Sequence, residues 1–465
     1  MTMSDPAPLM LSVSGARGIV DASMTEAVAA RFAAAWGSIL VEESPGETPH
    51  ACLGRDSRPS GEKLAVAAAL GLNSAGCNVI DLGLVTTPTV GVMTTATGAA
   101  GGMVVTASHN PNPWNGLKCI DASGAAPPPE VAEELIARFK AMGDDAVNPA
   151  QGSGVETEER GNDTHLARVL GQVDPGPIQQ QAYRVVLDSV NGAGCVPGRR
   201  LLELLGCEVK HLNGEPTGDF AHVPEPTEAN LLDLASETAG ADAAIGFAQD
   251  PDADRLAIID EQGRYLGEEY TLAIVADFML RAHGGGTVVT NLSTSRMVDD
   301  LAARHGGRVV RTAVGEANVV AAMREHDALI GGEGNGGVIL PGVCSIRDSL
   351  GAMALVLASI AESGSSVSEL VGTLPSYAMV KSKVDLPGSG GAAAVAPVLQ
   401  KVREVHADAS VDTSDGVRVD FEQSWVHVRP SNTEPIARII AEAPVASEAE
   451  ALVQSIVELA GWDAP

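Results

Sequence analysis

At 465 residues, with 45% apolar residues and a formal net charge of −30, the chain is long enough for three or four domains, each with its own core. So acidic a surface argues against nucleic acid and anionic membranes as partners, and no apolar run reaches the ~18 residues of a membrane span. A site for an anionic substrate must carry its own local cations, and lysine is scarce enough that one inside a motif, such as Lys118, is informative.

The N-terminal MTMSDPAPLM lacks a basic region followed by an apolar stretch, so no signal peptide is expected. Cys52, Cys77, Cys119, Cys195, Cys207 and Cys344 form no C-x-x-C pair and read as buried free thiols of a cytoplasmic protein. Ser23 and Glu26 predict a capping box. The helix behind it places Val28, Phe32, Trp36, Ile39 and Leu40 on one face. Two Gly-rich turns, 14–18 and 54–58, each hold arginine. Arg17 is assigned to function, Arg55 and Arg58 to structural ion pairs.

Strands are predicted at 79–80 and 103–106, and the polar stretch 142–165 reads as a linker or surface excursion. A second block runs from a strand at 185–187 to one at 258–259. A third starts with a helical pattern after Glu268 and has strands at 288–290, 309–312 and 329–331. The last has strands at 417–420, 425–429 and 436–441, then a helix capped by Ser447 and Glu450. Short β-branched runs, Gly-rich turns and Ala/Leu-rich helices alternate, which predicts α/β layers. The expected division is an α/β domain at 1–152, a second at 153–264, a third at 265–375, and a smaller α+β domain at 376–465.

Four loops carry chemistry. Ser108, in Thr106-Ala107-Ser108-His109-Asn110-Pro111, follows an apolar strand. It can serve as a nucleophile or phosphate carrier, with Lys118 ten residues on to stabilise charge, or as the cap of an ST-turn. Asp250, Asp252 and Asp254, at i, i+2 and i+4 after a buried strand, can converge on one hard cation, and Arg255 adds a fork for phosphate. The Gly and terminal Glu of a Ca2+ loop are missing, and a solvated acidic turn is the plainer alternative. Glu333 and Asn335, among the glycines of 331–337, offer an acceptor and a donor for sugar hydroxyls, or form a plain β-turn. Arg429, Ser431, Asn432 and Thr433 make a phosphate nest or an ordinary hairpin loop.

The four loops occur in order, one per block, and the TASHNP, DPDADR and RPSNTEP motifs in combination resemble the α-D-phosphohexomutase superfamily over essentially the whole chain. That resemblance implies three mixed α/β domains and a smaller C-terminal α+β domain around a central cleft. It implies a Ser108 phosphorylated at rest, and Mg2+ held by Asp250, Asp252 and Asp254 with the phosphoserine. The loop 332–337 would read the sugar, and 429–433 would hold the non-reacting phosphate. Arg17, His109 and Lys118 would stabilise charge and handle protons, with Arg255 helping to hold the site. A sugar bisphosphate would form, reorient and return its other phosphate to Ser108.

One departure is the loop Asn335-Gly336-Gly337, where many bacterial members have Ser-Gly-His. The whole Gly-Glu-Gly-Asn-Gly-Gly form of 332–337 and the stretch 312–316 resemble the archaeal-type phosphoglucosamine mutase branch. The expected reaction interconverts glucosamine 6-phosphate and glucosamine 1-phosphate. Mannose or glucose phosphates are the alternative substrates, and a non-catalytic sugar-phosphate binder a remoter one. The expected partner is a small phosphosugar, and the expected state a monomer or homodimer.

Overall fold

The computed structural model describes residues 8–143, 147, 154–386, 391–431 and 436–462. They form two compact units, Met1–Phe278 with Asn335–Gly372, and Met279–Gly334 with Thr373–Pro465.

The first unit holds two sheets. The larger has seven strands in the order Met10–Ser12, Gly15–Ile19, Trp114–Asp121, Gly101–Val105, His50–Arg55, Asn78–Leu84 and Val155–Thr157. His50–Arg55 runs parallel to both of its neighbours. The strand Gly101–Val105, parallel to His50–Arg55 and antiparallel to Trp114–Asp121, is buried throughout, as expected of a strand covered on both faces. Helices Glu26–Glu42 and Gly61–Ser74 pack on this sheet, and small residues let them approach closely. A Cβ on Gly71 would stand 2.0 Å from the Ala30 carbonyl oxygen. Phe32 meets Phe139 edge-on at 5.6 Å, and the buried Trp36 indole donates to the Gly102 carbonyl at 3.1 Å.

The second sheet has four strands, Leu256–Ile259, Ile245–Gln249, Arg184–Asp188 and Glu208–Leu212, the last three parallel. In both sheets the loops that matter leave the carboxyl end of a buried strand that has one parallel neighbour, where open α/β sheets place their ligands.

In the second unit, Arg308–Thr312, Thr287–Asn291 and Ile330–Glu333 pair in parallel. Ala378–Asp385, Ile436–Ala443, Trp425–Pro430, Val417–Asp420 and Ser410–Asp412 form an antiparallel sheet. Residues of the helices Gly391–Val405 and Ala446–Ala460 share its core, including Val402, Val426, Ile439 and Ile456.

Local expectations were corrected at three places. The first helix is capped by Thr25, whose hydroxyl accepts from Val28 N–H, because Ser23 Oγ is taken by Ile19 N–H in the preceding turn. The last helix starts at Ala446 after an extended Val445. Ser447 therefore falls inside its first turn, and no side chain caps it. The stretch 142–165 carries the edge strand Val155–Thr157 and the start of the helix Gly161–Leu170, while 144–146 and 148–153 lie outside the described residues. No helix among the described residues is long and apolar enough to cross a membrane, and all six cysteines are free and buried.

Candidate active site

The strand Gly101–Val105 ends in a tight loop. Thr106 donates its hydroxyl to Asp56 Oδ2 at 2.7 Å and accepts the Ser108 N–H at 2.9 Å. Arg58, 1% exposed, threads under this loop. Its guanidinium pairs with Asp56 and donates to the carbonyls of Ser108, Asn110, Pro111 and Trp114. Ser108 is thereby held at φ +52°, a left-handed conformation that costs an ordinary residue about 1–2 kcal/mol. Its carbonyl points to the arginine.

Its hydroxyl points the other way, donating to Asp250 Oδ2 at 3.2 Å. A serine of the first sheet thus meets an aspartate of the second, 142 residues later in the chain. Asp250 Oδ1 accepts the N–H groups of Asp254 and Arg255, and Ala253 at φ +56° closes the turn. This fold of the loop brings one carboxylate oxygen of each of Asp250, Asp252 and Asp254 within 4.8 Å of one another, all three residues being buried.

Cations surround the acids. Lys118, on the strand Trp114–Asp121, lies 2.7 Å from Asp252 Oδ2 and 3.2 Å from Asp254 Oδ2. Arg347 donates to Asp254 Oδ2 at 2.7 Å, and Arg255 Nε stands 3.8 Å from Asp254 Oδ1. Arg17 reaches Asn110 Oδ1 at 3.1 Å. Burial, then the charges of Asp254 and Asp252, push Asp250 well above the usual carboxylate range. Burial acts the same way on Asp254, but Arg347, Lys118 and Arg255 overcome it and hold that group well below. His109 is pushed down to about 2 by burial and by Arg255 and Arg17, so it is uncharged. Its Nδ1 lies 3.4 Å from Ser108 Oγ and its Nε2 3.9 Å from Glu225 Oε1.

The carboxylates fit a divalent cation. Asp252 Oδ1 and Asp254 Oδ1 are buried with no hydrogen-bond partner, which is costly for a carboxylate unless another group takes them up, and an all-oxygen donor set suits a hard ion.

The structure therefore brings Ser108, His109, Lys118, Arg17, Asp250, Asp252, Asp254 and Arg255 together within one unit. Asn335 belongs to that unit too, its Oδ1 accepting the Gly337 N–H at 3.2 Å. In the other unit, Glu333 is buried and accepts from Asn291 Nδ2 at 2.8 Å. Arg429 Nε donates to Asp415 Oδ2 at 3.0 Å, and Ser431 N–H to the Ile436 carbonyl. Asn432 and Thr433 lie outside the described residues.

Comparison with known proteins gives this arrangement its context. The sequence matches four domains described as phosphoglucomutase/phosphomannomutase: alpha/beta/alpha domain I at 10–145, domain II at 163–263, domain III at 267–377, and the C-terminal domain at 379–459. The chain belongs to the phosphoglucomutase/phosphomannomutase family. A relative from Thermococcus kodakarensis, named phosphoglucomutase/phosphomannomutase, is 37% identical, with 96% of this chain and 97% of that one covered. Another from Methanopyrus kandleri, named "Probable phosphoglucosamine mutase", is 36% identical with 96% of each covered. The crystal structure of a phosphoglucomutase/phosphomannomutase family protein from Burkholderia thailandensis superposes with a TM-score of 0.83 at 27% identity, covering 97% of this chain and 98% of that one.

Arg58, Thr87 and Arg347 were not among the expected site residues. Arg58 had been assigned to an ion pair, which it does form with Asp56, but its four contacts with the serine loop are the larger part of its environment. For Thr87 and Arg347 the sequence holds no signal beyond their positions near turns.

Proposed function

We propose that the protein is a phosphosugar mutase that interconverts glucosamine 6-phosphate and glucosamine 1-phosphate through a phosphorylated Ser108 and a bisphosphorylated sugar. The observation that carries this reading is the 3.2 Å approach of Ser108 Oγ to Asp250, inside a buried cluster of three carboxylates ringed by Lys118, Arg17, Arg255 and Arg347. Phosphoryl transfer needs positioning and charge neutralisation rather than elaborate covalent chemistry, and these residues would supply both.

Asp250, Asp252 and Asp254 would hold Mg2+, which when bound neutralises charge on the phosphoryl oxygens. In the forward half-reaction the Ser108 Oγ–P bond breaks and a bond forms from phosphorus to a sugar hydroxyl oxygen. The hydroxyl loses its proton and the serine oxygen gains one. The second half-reaction reverses this with the sugar's other phosphate. Lys118, on Asp252 and Asp254, and Arg17, on Asn110 of the serine loop, stabilise the charge in transit. The family resemblance gives His109 a share in proton handling, and its Nδ1 lies 3.4 Å from Ser108 Oγ. Arg58 fixes the loop that presents the nucleophile. Glu333 and Asn335 would bind sugar hydroxyls, and Arg429, Ser431, Asn432 and Thr433 the non-reacting phosphate. The proposed setting is the cytoplasm, in keeping with six buried free thiols.

The sugar is argued from the loops 312–316 and 332–337 and from the name of the Methanopyrus relative. The name of the Thermococcus relative favours glucose or mannose phosphates as a second reading. Turnover on the 1-phosphates of glucosamine, glucose and mannose, with a bisphosphate activator present, decides between them. A strong preference for glucose or mannose would overturn the glucosamine assignment. Intact-mass measurement of the purified protein should find a phosphoryl group that Ser108→Ala removes. Unaltered turnover in that variant would end the whole reading.

A further inference from the structure

Asp252 is held unusually firmly. Its Oδ2 accepts the Thr87 hydroxyl at 2.6 Å and the Lys118 ammonium at 2.7 Å, and its backbone carbonyl accepts the Thr87 N–H at 3.0 Å. Its Oδ1 is left buried and without a hydrogen-bond partner. Thr87 is the first residue of the helix Thr87–Thr97, and the turn that carries it is braced. The hydroxyls of Thr86 and Thr89 lie 2.7 Å apart, and Thr89 meets the fully buried His165 at Nδ1, 2.9 Å away. The other ring nitrogen of His165 lies 3.0 Å from Asp348, which caps the helix Ser349–Ser363. The residue before that cap, Arg347, holds Asp254 Oδ2. Two of the three carboxylates are thus each gripped by one oxygen from helix starts that His165 ties together, and each keeps a buried Oδ1 with no hydrogen-bond partner.

We propose that Thr87 is a positioning residue for the divalent cation: its hydroxyl occupies Asp252 Oδ2 and so commits Oδ1 to the ion. This rests on the reading of Asp250, Asp252 and Asp254 as the metal ligands. Without the hydroxyl, the carboxylate is free to rotate and satisfy both oxygens on Lys118, which removes a ligand atom from the ion. Partners of metal-ligating carboxylates typically govern affinity by about 10- to 100-fold.

The test measures metal binding directly, by titrating full-length protein with Mn2+ and following the free aqueous ion by electron paramagnetic resonance. Thr87→Val, nearly the same shape without the hydroxyl, should bind Mn2+ about 10- to 100-fold more weakly than wild type. Thr87→Ser should bind within a few-fold of wild type, and Asp252→Asn should bind more weakly still. In turnover assays Thr87→Val should need more Mg2+ for half-maximal rate while keeping kcat at saturating Mg2+. Wild-type affinity in Thr87→Val, with Asp252→Asn impaired, overturns the role of Thr87 and leaves the metal site standing. Affinity as weak in Thr87→Ser as in Thr87→Val also overturns it, since the methyl group would then be what matters. Equal binding by wild type and Asp252→Asn would instead refute the metal reading itself. Should Thr87→Val fail to fold, Thr87→Ala removes the same hydroxyl and is read in the same way.

Discussion

The aspartate loop at 250–254 and the arginine region at 415–429 both concentrate charge in buried surroundings, yet they are finished to different degrees. Around the aspartates, two buried carboxylate oxygens lack hydrogen-bond partners, and Ser108 and Ala253 sit in left-handed conformations. Around Arg429 the polar groups of the described residues are linked to one another. Asp415 Oδ2 accepts both Arg429 Nε and the Val314 N–H, its carbonyl lies 2.6 Å from His427 Nε2, and His427 Nδ1 lies 3.0 Å from Ser293 Oγ. A polar cluster with unmet partners is costly to bury, whereas a satisfied one is stable as it stands. On the proposed reading the contrast follows from use: the first region would be shaped around an ion that stays, and the second around a ligand that comes and goes.

The largest effects are expected at the chemical centre of the aspartate region. Ser108→Ala should lose turnover by several orders of magnitude, and EDTA should silence the wild type, both read in a coupled assay of phosphosugar isomerisation. EDTA should also lower the melting temperature, because an ion that binds only the folded state stabilises it. Next comes Arg58→Met. It leaves Asp56 buried without its ion-pair partner and the carbonyls of 108, 110, 111 and 114 without their donor. Breaking such a pair costs about 3–5 kcal/mol, to be read from the denaturation midpoint. Retention of full stability would show that the arginine is not what holds the serine loop.

His427 probes the second region. Burial pushes it down to about 4 from an ordinary 6.5. The unfolded chain therefore takes up a proton near pH 6.5, while the folded protein does not until near pH 4. Stability is full above the unfolded value and falls as pH drops between the two, by up to about 3 kcal/mol. His427→Asn should flatten that part of the stability profile. An unchanged slope would place the titrating group elsewhere.

The fold and the centre of the site were legible in sequence for one physical reason. Ser108 and Asp250 each lie just beyond a strand that is buried throughout and, but for Gln249, apolar, and such strands announce both themselves and the loops at their carboxyl ends. What escaped was whatever tertiary contact alone brings in. Arg58 reaches the Ser108 carbonyl across 50 residues, Arg347 reaches Asp254 across 93, and Thr87 reaches Asp252 across 165. None of them carries a local pattern that distinguishes it from a cap or a surface residue. The helix starts were misread for a related reason. Ser23 and Ser447 are reasonable caps by type, but only the chain's path decides which hydroxyl lies at the first open N–H.

The smallest expected effect is at Asp415, and it tests whether the second region serves binding rather than chemistry. Asp415 fixes Arg429 by a charge-assisted bond to Nε and fixes the backbone of Val314 with the same oxygen. Asp415→Asn keeps the shape and removes the charge, weakening the hold on Arg429 by about the 1.4 kcal/mol that corresponds to tenfold. If Arg429 grips the non-reacting phosphate equally in ground and transition states, KM should rise about tenfold with kcat little changed. Mn2+ affinity should match wild type, because none of the three aspartates is touched. A fall in kcat at constant KM would instead mean that Arg429 acts in the transition state, and the contrast between the two regions would then have to be drawn differently.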